Sequence, residues 1–307
     1  MDKEKTQLTS QEITAFLQKQ CAVSATNLQQ LVEGEESQAF SYECNAKEYV
    51  IRINQRIAGF QKDAYAHSHF QSAKVPIPKV TQLGYIDEHH TFCLTEKMPG
   101  ITLQDVDSQT LKQLLQPTTD VWLALGDCAI SHTTGFGDFD ARGQGTYRRW
   151  SQFLLSILDP QMHNWNNVLP SEHQKMFEEV VAAFTSLIPY CPEGRSLIHG
   201  DFGANNVLTD GQRITAVLDW ANAKYGDPLF DVATAFFWSP WLDCMAAQAA
   251  YFEPYISRLP HSHERLVCYQ LYIGLAEIYD SSLRQKGEMA LWALQRSAEI
   301  VHNFLTA

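Results

Sequence analysis

The densest cluster of chemically useful side chains in this 307-residue chain is HGDFGANN, His199 to Asn206, followed at a short interval by Leu218-Asp219-Trp220. Asp201 and Asp219 supply two carboxylates and Asn206 an amide oxygen. The apolar runs SLIH and ITAVLDW flank this polar segment, and as two short strands they would bring all three side chains to one cleft. Hard oxygen ligands of this kind suit a magnesium ion that carries a nucleotide, and a carboxylate beside them can orient an attacking alcohol. An alcohol has almost no anionic fraction at neutral pH, so the carboxylate contributes positioning and late proton acceptance while the cation offsets phosphoryl charge. Asp and Asn also build ordinary turns. Apolar runs on both sides argue instead that these groups sit on a rigid frame. His199 has no HxH, HxxxH or cysteine partner at metal spacing, so it reads as support for the loop and not as a zinc ligand. Asp227, just before Pro228, has the character of a helix cap.

The elements that must carry these residues follow from apolar periodicity. Thr9 to Lys19 opens with a capping pattern and continues as a short amphipathic helix. Ala39 to Cys44 and Glu48 to Asn54 read as strands joined near Asn45 to Lys47, and Val80 to Tyr85 and His90 to Glu96 as further strands. Lys62 to Ser72 reads as a helix, and Val75 to Pro78 as extended because each proline restricts its neighbour. Beyond a boundary near Lys97 to Thr102 the pattern is mainly helical: Asp120 to Ser131, Trp150 to Leu158, His173 to Ile188, Asp231 to Trp238, Trp241 to Tyr255, His263 to Leu283 and Met289 to Leu305. Thr133 to Gly145, rich in Gly and Asp, reads as a loop.

Composition narrows the function. Hydrophobic residues at 45%, with 16 Phe, 12 Tyr and 7 Trp, exclude a disordered chain. A net charge of -12 opposes nonspecific nucleic-acid binding and favours small neutral or cationic partners. No apolar run is long enough to cross a membrane, the MDKEKTQLTS start lacks a signal-peptide core, and seven scattered cysteines point to reduced thiols in the cytoplasm.

HGDFGANN resembles the HGDxxxxN catalytic-loop signature of the aminoglycoside phosphotransferase family, LDW resembles its metal-binding IDW signature, and GDPLFDVA at Gly226 to Ala233 continues the match. The stretches GEESQAFSY, YVIRIN, VPIP, GITLQD, TTGFG and FFWSPWLDCM run in the order of that family's hygromycin-phosphorylating branch over nearly the full length. The resemblance implies an α+β, protein-kinase-like bilobal fold, with a sheet-rich nucleotide-binding lobe at residues 1–97 and a helical catalytic and acceptor lobe at 98–307. It implies ATP and Mg2+ as cofactors and O-phosphorylation of a small cationic aminoglycoside or aminocyclitol such as hygromycin B. Asp201 is then the catalytic aspartate, Asn206 and Asp219 the magnesium ligands, and His199, Asp227 and Asp231 structural support for the loop.

The nucleotide side is less conventional. Gly34 to Ser37 lacks the GxxxxGK pattern and reads as a turn. The resemblance instead lays Ser37 and nearby amides over the β-phosphate, with Glu35 and Glu36 turned away. Arg52 stands where many kinases carry Lys, and strand alternation sets it opposite Ile51 and Ile53. The resemblance makes it the phosphate-binding residue, with Asp63 as its expected acidic partner because KDAYAHSHF has no Glu. Thr95 to Met98 is the expected interlobe connection, where backbone groups around Glu96 bond the purine and Met98 lines its pocket. Trp238, Trp241 and Asp243, with Glu277 and Asp280 three apart on a later helix, are the candidates for a pocket with flat walls and an acidic rim, suited to a cationic acceptor. Two readings compete: a metabolic kinase for a sugar or amino alcohol, and a nucleotide-binding pseudokinase. The intact Asp201, Asn206 and Asp219 oppose the second.

Overall fold

A computed structural model describes residues 7–31, 37–166 and 168–306. Gly34, Glu35 and Glu36 of the expected phosphate loop lie outside them. Helix α1 (Ser10–Lys19) starts at a capping box: the Thr9 hydroxyl accepts from the Glu12 amide at 3.3 Å, and the Glu12 carboxylate accepts from the Thr9 amide at 2.8 Å. Its buried Ile13, Phe16 and Leu17 pack against Ile51, Ile53, Phe92 and Leu94 on one face of a five-stranded antiparallel sheet. The strands are β1 (Thr26–Gln30), β2 (Gln38–Cys44), β3 (Lys47–Asn54), β4 (Val80–Tyr85) and β5 (Thr91–Glu96), in the order β1-β2-β3-β5-β4. Positive φ at Asn45 and Ala46 makes the tight β2–β3 turn that fits the strand twist. Between β3 and β4 runs α2 (Ile57–Phe70), beginning ahead of the expected Lys62.

After β5 come β6 (Ile101–Thr102) and α3 (Ser108–Gly126). This helix begins well before Asp120, because Asp107 caps it at the Gln109 and Thr110 amides and Pro117 is accommodated inside it. Thr133 to Gly145 is not simply a loop: it holds β7 (Phe136–Phe139), which pairs with β8 (Gly145–Tyr147). Gly137, read as a loop signal, is needed because its φ is 70° and a Cβ there would strike the Phe153 and Tyr147 rings. Then come α4 (Trp150–Ser156), α5 (Gln174–Leu187) and four strands, β9 (Ser196–Ile198), β10 (Val207–Thr209), β11 (Ile214–Val217) and β12 (Lys224–Gly226). They form two small sheets, β11-β10-β6 and β8-β7-β12-β9, where the sequence pointed to two strands. Segments of three residues are too short to show a period. Helices α6 (Leu229–Trp238), α7 (Asp243–Ile256), α8 (Ser262–Leu283) and α9 (Gly287–Thr306) complete the chain. Their core is built on Trp150, Phe153, Phe184, Phe230, Phe237 and Tyr269. Among the described residues no helix is long and apolar enough to cross a membrane.

Candidate active site

The HGDFGANN loop leaves β9 at Ile198 and enters β10 at Val207. Its first two amides, His199 and Gly200, donate to the two oxygens of Asp231 at 2.9 and 2.7 Å. Asp231 is buried in the first turn of α6, so the helix holds the loop entrance. Burial pushes its carboxyl above the usual range, against the pull of His199 and these two amides. His199 bridges the next gap: Nδ1 accepts from the Asp201 amide at 3.3 Å, which assigns the ring proton to Nε2, 2.8 Å from the Leu218 carbonyl. The ring therefore ties Asp201 to the segment that presents Asp219.

Asn206 completes the junction. Its side-chain amide nitrogen donates to the Asp201 backbone carbonyl at 3.0 Å and to Asp201 Oδ2 at 2.9 Å, while its backbone carbonyl accepts from the Leu218 amide at 2.8 Å. Burial raises the Asp201 carboxyl, and the charge of Asp219 raises it further against His199 and Asn206. Asp219 itself takes the left-handed conformation, φ 58° and ψ 75°, and is exposed. Two carboxylates that repel each other, next to an amide oxygen not used in these bonds, form a donor set that fits a hard divalent cation.

On β3 Arg52 lies opposite Ile51 and Ile53 and donates to Asp63 Oδ2 at 2.6 Å. Asp63 Oδ1 accepts from the Trp220 amide at 2.9 Å, so α2 links β3 to the residue after Asp219. Burial disfavours the Arg52 charge, but Asp63 more than restores it and holds the guanidinium above its ordinary value. The approach is close, since a Cβ on Gly59 would stand 3.1 Å from Ala221 Cβ. Ser37 precedes β2 and accepts from Asn54 Nδ2 at 3.2 Å. The Glu96 amide donates to Lys79 O and that of Lys97 to Glu48 O, so neither serves a purine, and Met98 is half-buried beside them.

Asp227 does more than cap α6. It accepts from the Leu229 amide at 3.2 Å, from Arg265 on α8 through Nε at 2.9 Å and Nη2 at 2.7 Å, and from the Tyr269 hydroxyl at 2.6 Å. Arg265 escaped the sequence reading because nothing local marks it.

The aromatic wall is larger than expected. Trp238 stacks on Trp292 of α9 at 5.1 Å, and Trp241, 51% exposed, meets the same ring edge-on at 4.9 Å. Asp243 is exposed at the start of α7, and a Cβ on Gly203 of the catalytic loop would lie 3.9 Å from Met245 Cε, which puts this helix start against the loop. Glu277 accepts from the Ser281 hydroxyl at 2.5 Å, and Asp280 is exposed one turn along. Burial holds the Tyr272 phenol well above its ordinary range, and the charges of Asp138 on β7 and of Asp280 push it the same way. Asp138, on β7 inside the expected loop, is within electrostatic reach of the same phenol.

The sequence profile described as "phosphotransferase enzyme family" matches residues 27–263. The chain belongs to this family. Among its members, hygromycin-B 4-O-kinase of Escherichia coli is 40% identical over 299 residues, covering 97% of this chain and 87% of that protein. A thermostable mutant of aminoglycoside phosphotransferase APH(4)-Ia, solved as a ternary complex with AMP-PNP and hygromycin B, aligns with a TM-score of 0.90 at 41% identity, covering 95% of this chain and 98% of that one. Wild-type aminoglycoside 2'-phosphotransferase-IIIa, in complex with GDP, shares the fold at a TM-score of 0.68 and 14% identity, over 97% and 99%. The family architecture is the bilobal, protein-kinase-like α+β arrangement that the resemblance implied.

Proposed function

We propose that this protein is an ATP- and Mg2+-dependent kinase that phosphorylates a hydroxyl of hygromycin B or a close aminocyclitol relative, with its lobes divided at residues 97 and 98. The observation that carries the phosphoryl-transfer reading is the junction of Asp201, Asn206 and Asp219, fixed by the Asn206–Asp201 hydrogen bonds and the His199 bridge. The acceptor reading rests on the near-full-length likeness to the hygromycin kinase.

Asn206 Oδ1 and Asp219 would hold magnesium, which when bound offsets charge on the nucleotide phosphates. Asp201 is pinned through Oδ2, so Oδ1 faces the acceptor hydroxyl, orients it and takes its proton as the new P–O bond forms and the γ-phosphorus bond to the bridging oxygen breaks, releasing ADP. Arg52, held at Nη2 by Asp63, turns its other N–H groups to the α and β phosphates, with Ser37 above them. The Glu96 carbonyl and the Met98 amide bond the purine edge. Trp238, Trp241 and the acids Asp243, Glu277 and Asp280 receive the polyamine. A cytoplasmic location belongs to the same reading: none of the seven cysteines is in a disulfide, as a reducing compartment requires.

ATP consumption should be measured across aminoglycosides, amino alcohols, neutral sugars and a macrolide, and the phosphate located on each product. Hygromycin B is the expected best acceptor. Asp201→Asn should slow its turnover by roughly 10²-fold or more while AMP-PNP affinity stays within a few-fold. A neutral sugar or macrolide as best acceptor overturns the substrate class, and wild-type-like turnover of the variant overturns the role of Asp201.

A further inference from the structure

Outside the residues assigned above, two lysines are buried without a role, both facing one exposed carboxylate. Lys62 on α2 and Lys224 on β12 are 7% and 6% exposed. A single carboxylate serves both: Asp138 Oδ1 lies 3.7 Å from Lys62 Nζ and 3.8 Å from Lys224 Nζ. Two ammoniums against one carboxylate leave an excess positive charge, which is costly to bury unless other groups compensate it. Part of the compensation is aromatic, with Lys62 4.9 Å from the Phe139 centroid and Lys224 5.0 and 5.7 Å from those of Phe230 and Phe153.

The remaining charge acts on the catalytic segment. Lys224 stands opposite Asp138 on one neighbouring strand and opposite Ile198 on the other, beside the strand that delivers His199, Gly200 and Asp201. Its ammonium donates to the Asn222 carbonyl at 2.7 Å. Gly200, at φ 81°, packs against that pair so closely that a Cβ would fall on the Asn222 oxygen and 2.6 Å from Lys224 Nζ. The same charge favours the ionised forms of Asp201 and Asp231.

We propose that Lys62, Asp138 and Lys224 form a charge clamp coupling α2 to the catalytic segment, with Lys224 as the residue that positions Gly200 and Asp201. The proposal rests on the kinase reading above. Adjacent residues of α2 then hold two grips: Asp63 holds Arg52 and the Trp220 amide, and Lys62 holds Asp138, which faces Lys224 on the strand beside the loop that carries Asp201. A displacement of α2 moves both. The clamp touches no reacting atom, so its loss should lower turnover and leave substrate binding alone.

The test is steady-state kinetics with ATP and hygromycin B on Asp138→Asn, Lys224→Met and the double variant. Each single change should lower kcat roughly tenfold or more while both KM values stay within about twofold. The double variant should be no slower than the slower single one, because the parts act as a unit. Hydrogen exchange on the full chain with AMP-PNP should show faster exchange at the Gly200 and Asp201 amides in Lys224→Met, with β10 and β11 unchanged. Asp138 has a side chain 55% exposed, so Asp138→Asn keeps the question open if Lys224→Met fails to fold. Unchanged kcat in either single variant, multiplying losses in the double variant, or unchanged exchange at Gly200 and Asp201 would overturn the clamp. A wild-type protein that phosphorylates no acceptor overturns the kinase reading instead, and the exchange measurement then decides the clamp by itself.

Discussion

Asp219 combines two demands that a single substitution can separate. Its left-handed backbone costs most side chains about 1–2 kcal/mol, and Asp and Asn bear that conformation best. Its carboxylate is also the charged half of the proposed metal site. Asp219→Asn should therefore keep thermal stability near wild type yet weaken the response of turnover to added magnesium, whereas Asp219→Ala should lose both. Magnesium titration in the presence of ATP, beside a thermal melt, checks this; an unchanged magnesium dependence in Asp219→Asn would sink the ligand assignment. At this scale Asp201, Asn206 and Asp219 were legible because they fall within one short stretch whose flanking strands are themselves local. Arg265, Lys224 and Asp138 were not. Each finds its meaning in a partner far along the chain, and an isolated charged residue on a helix or strand carries no sign of which distant charge it will meet.

Elements are held to one another by these unread pairs. The Asp227–Arg265 pair joins the start of α6, which braces the catalytic loop through Asp231, to α8. Breaking a buried pair leaves one charge uncompensated and costs about 3–5 kcal/mol, while removing both charges costs much less. Arg265→Leu should lower urea stability by that order, and adding Asp227→Asn should recover a substantial part, since Asn can still accept from Tyr269. Equal losses in the single and double variants would show that the pair has no such role. Lys62 on α2 gives a pH-dependent counterpart. Burial pulls its ammonium down to about 8, with Asp138 opposing the shift and Lys224 adding to it. The unfolded lysine keeps its proton to about 10.4, so between these values the unfolded chain binds more protons and the stability contributed by Lys62 rises with pH. At pH 7 both states are protonated and the full burial penalty remains. Lys62→Met should thus raise the unfolding free energy at pH 7, with the gain fading by pH 10; a loss at pH 7, or a difference independent of pH, would contradict this account. A charge that destabilises the fold yet anchors α2 is what a functional constraint looks like. Most helices, strands β2 to β5 and the apolar runs of β9 and β11 were legible in the sequence, whereas the mostly exposed β1 and the two- and three-residue β6, β10 and β12 show no pattern of their own and are set by the strands they pair with.

For the whole molecule, the net charge of -12 indicates the sign of the partner, and the fold determines where that charge is useful. Glu277 and Asp280 lie one turn apart on α8, Asp243 opens α7 beside the HGDFGANN loop, and Trp241, two residues ahead of Asp243, leaves half its surface uncovered. Exposed ion pairs contribute only roughly 0.2 to 1 kcal/mol each, so no single acid need decide acceptor binding. Together they raise the local concentration of a polycation, and this long-range part fades as the screening length falls from about 10 Å at 0.1 M salt to about 3 Å at 1 M. Replacing Glu277 and Asp280 together by Gln and Asn keeps side-chain volume and hydrogen-bonding capacity while removing two charges. The joint variant should raise the KM for hygromycin B several-fold at low salt, leave the KM for ATP nearly unchanged, and approach the wild-type acceptor KM as salt increases. A neutral acceptor of similar size would show neither effect. If the hygromycin B KM were unchanged at low salt, the acidic rim would have no part in recognition, and the Trp238, Trp241 and Trp292 surfaces would have to account for it. Phosphoryl transfer at Asp201, Asn206 and Asp219 would be untouched by that result, because those three are held by bonds to α6 and the loop and not by the rim.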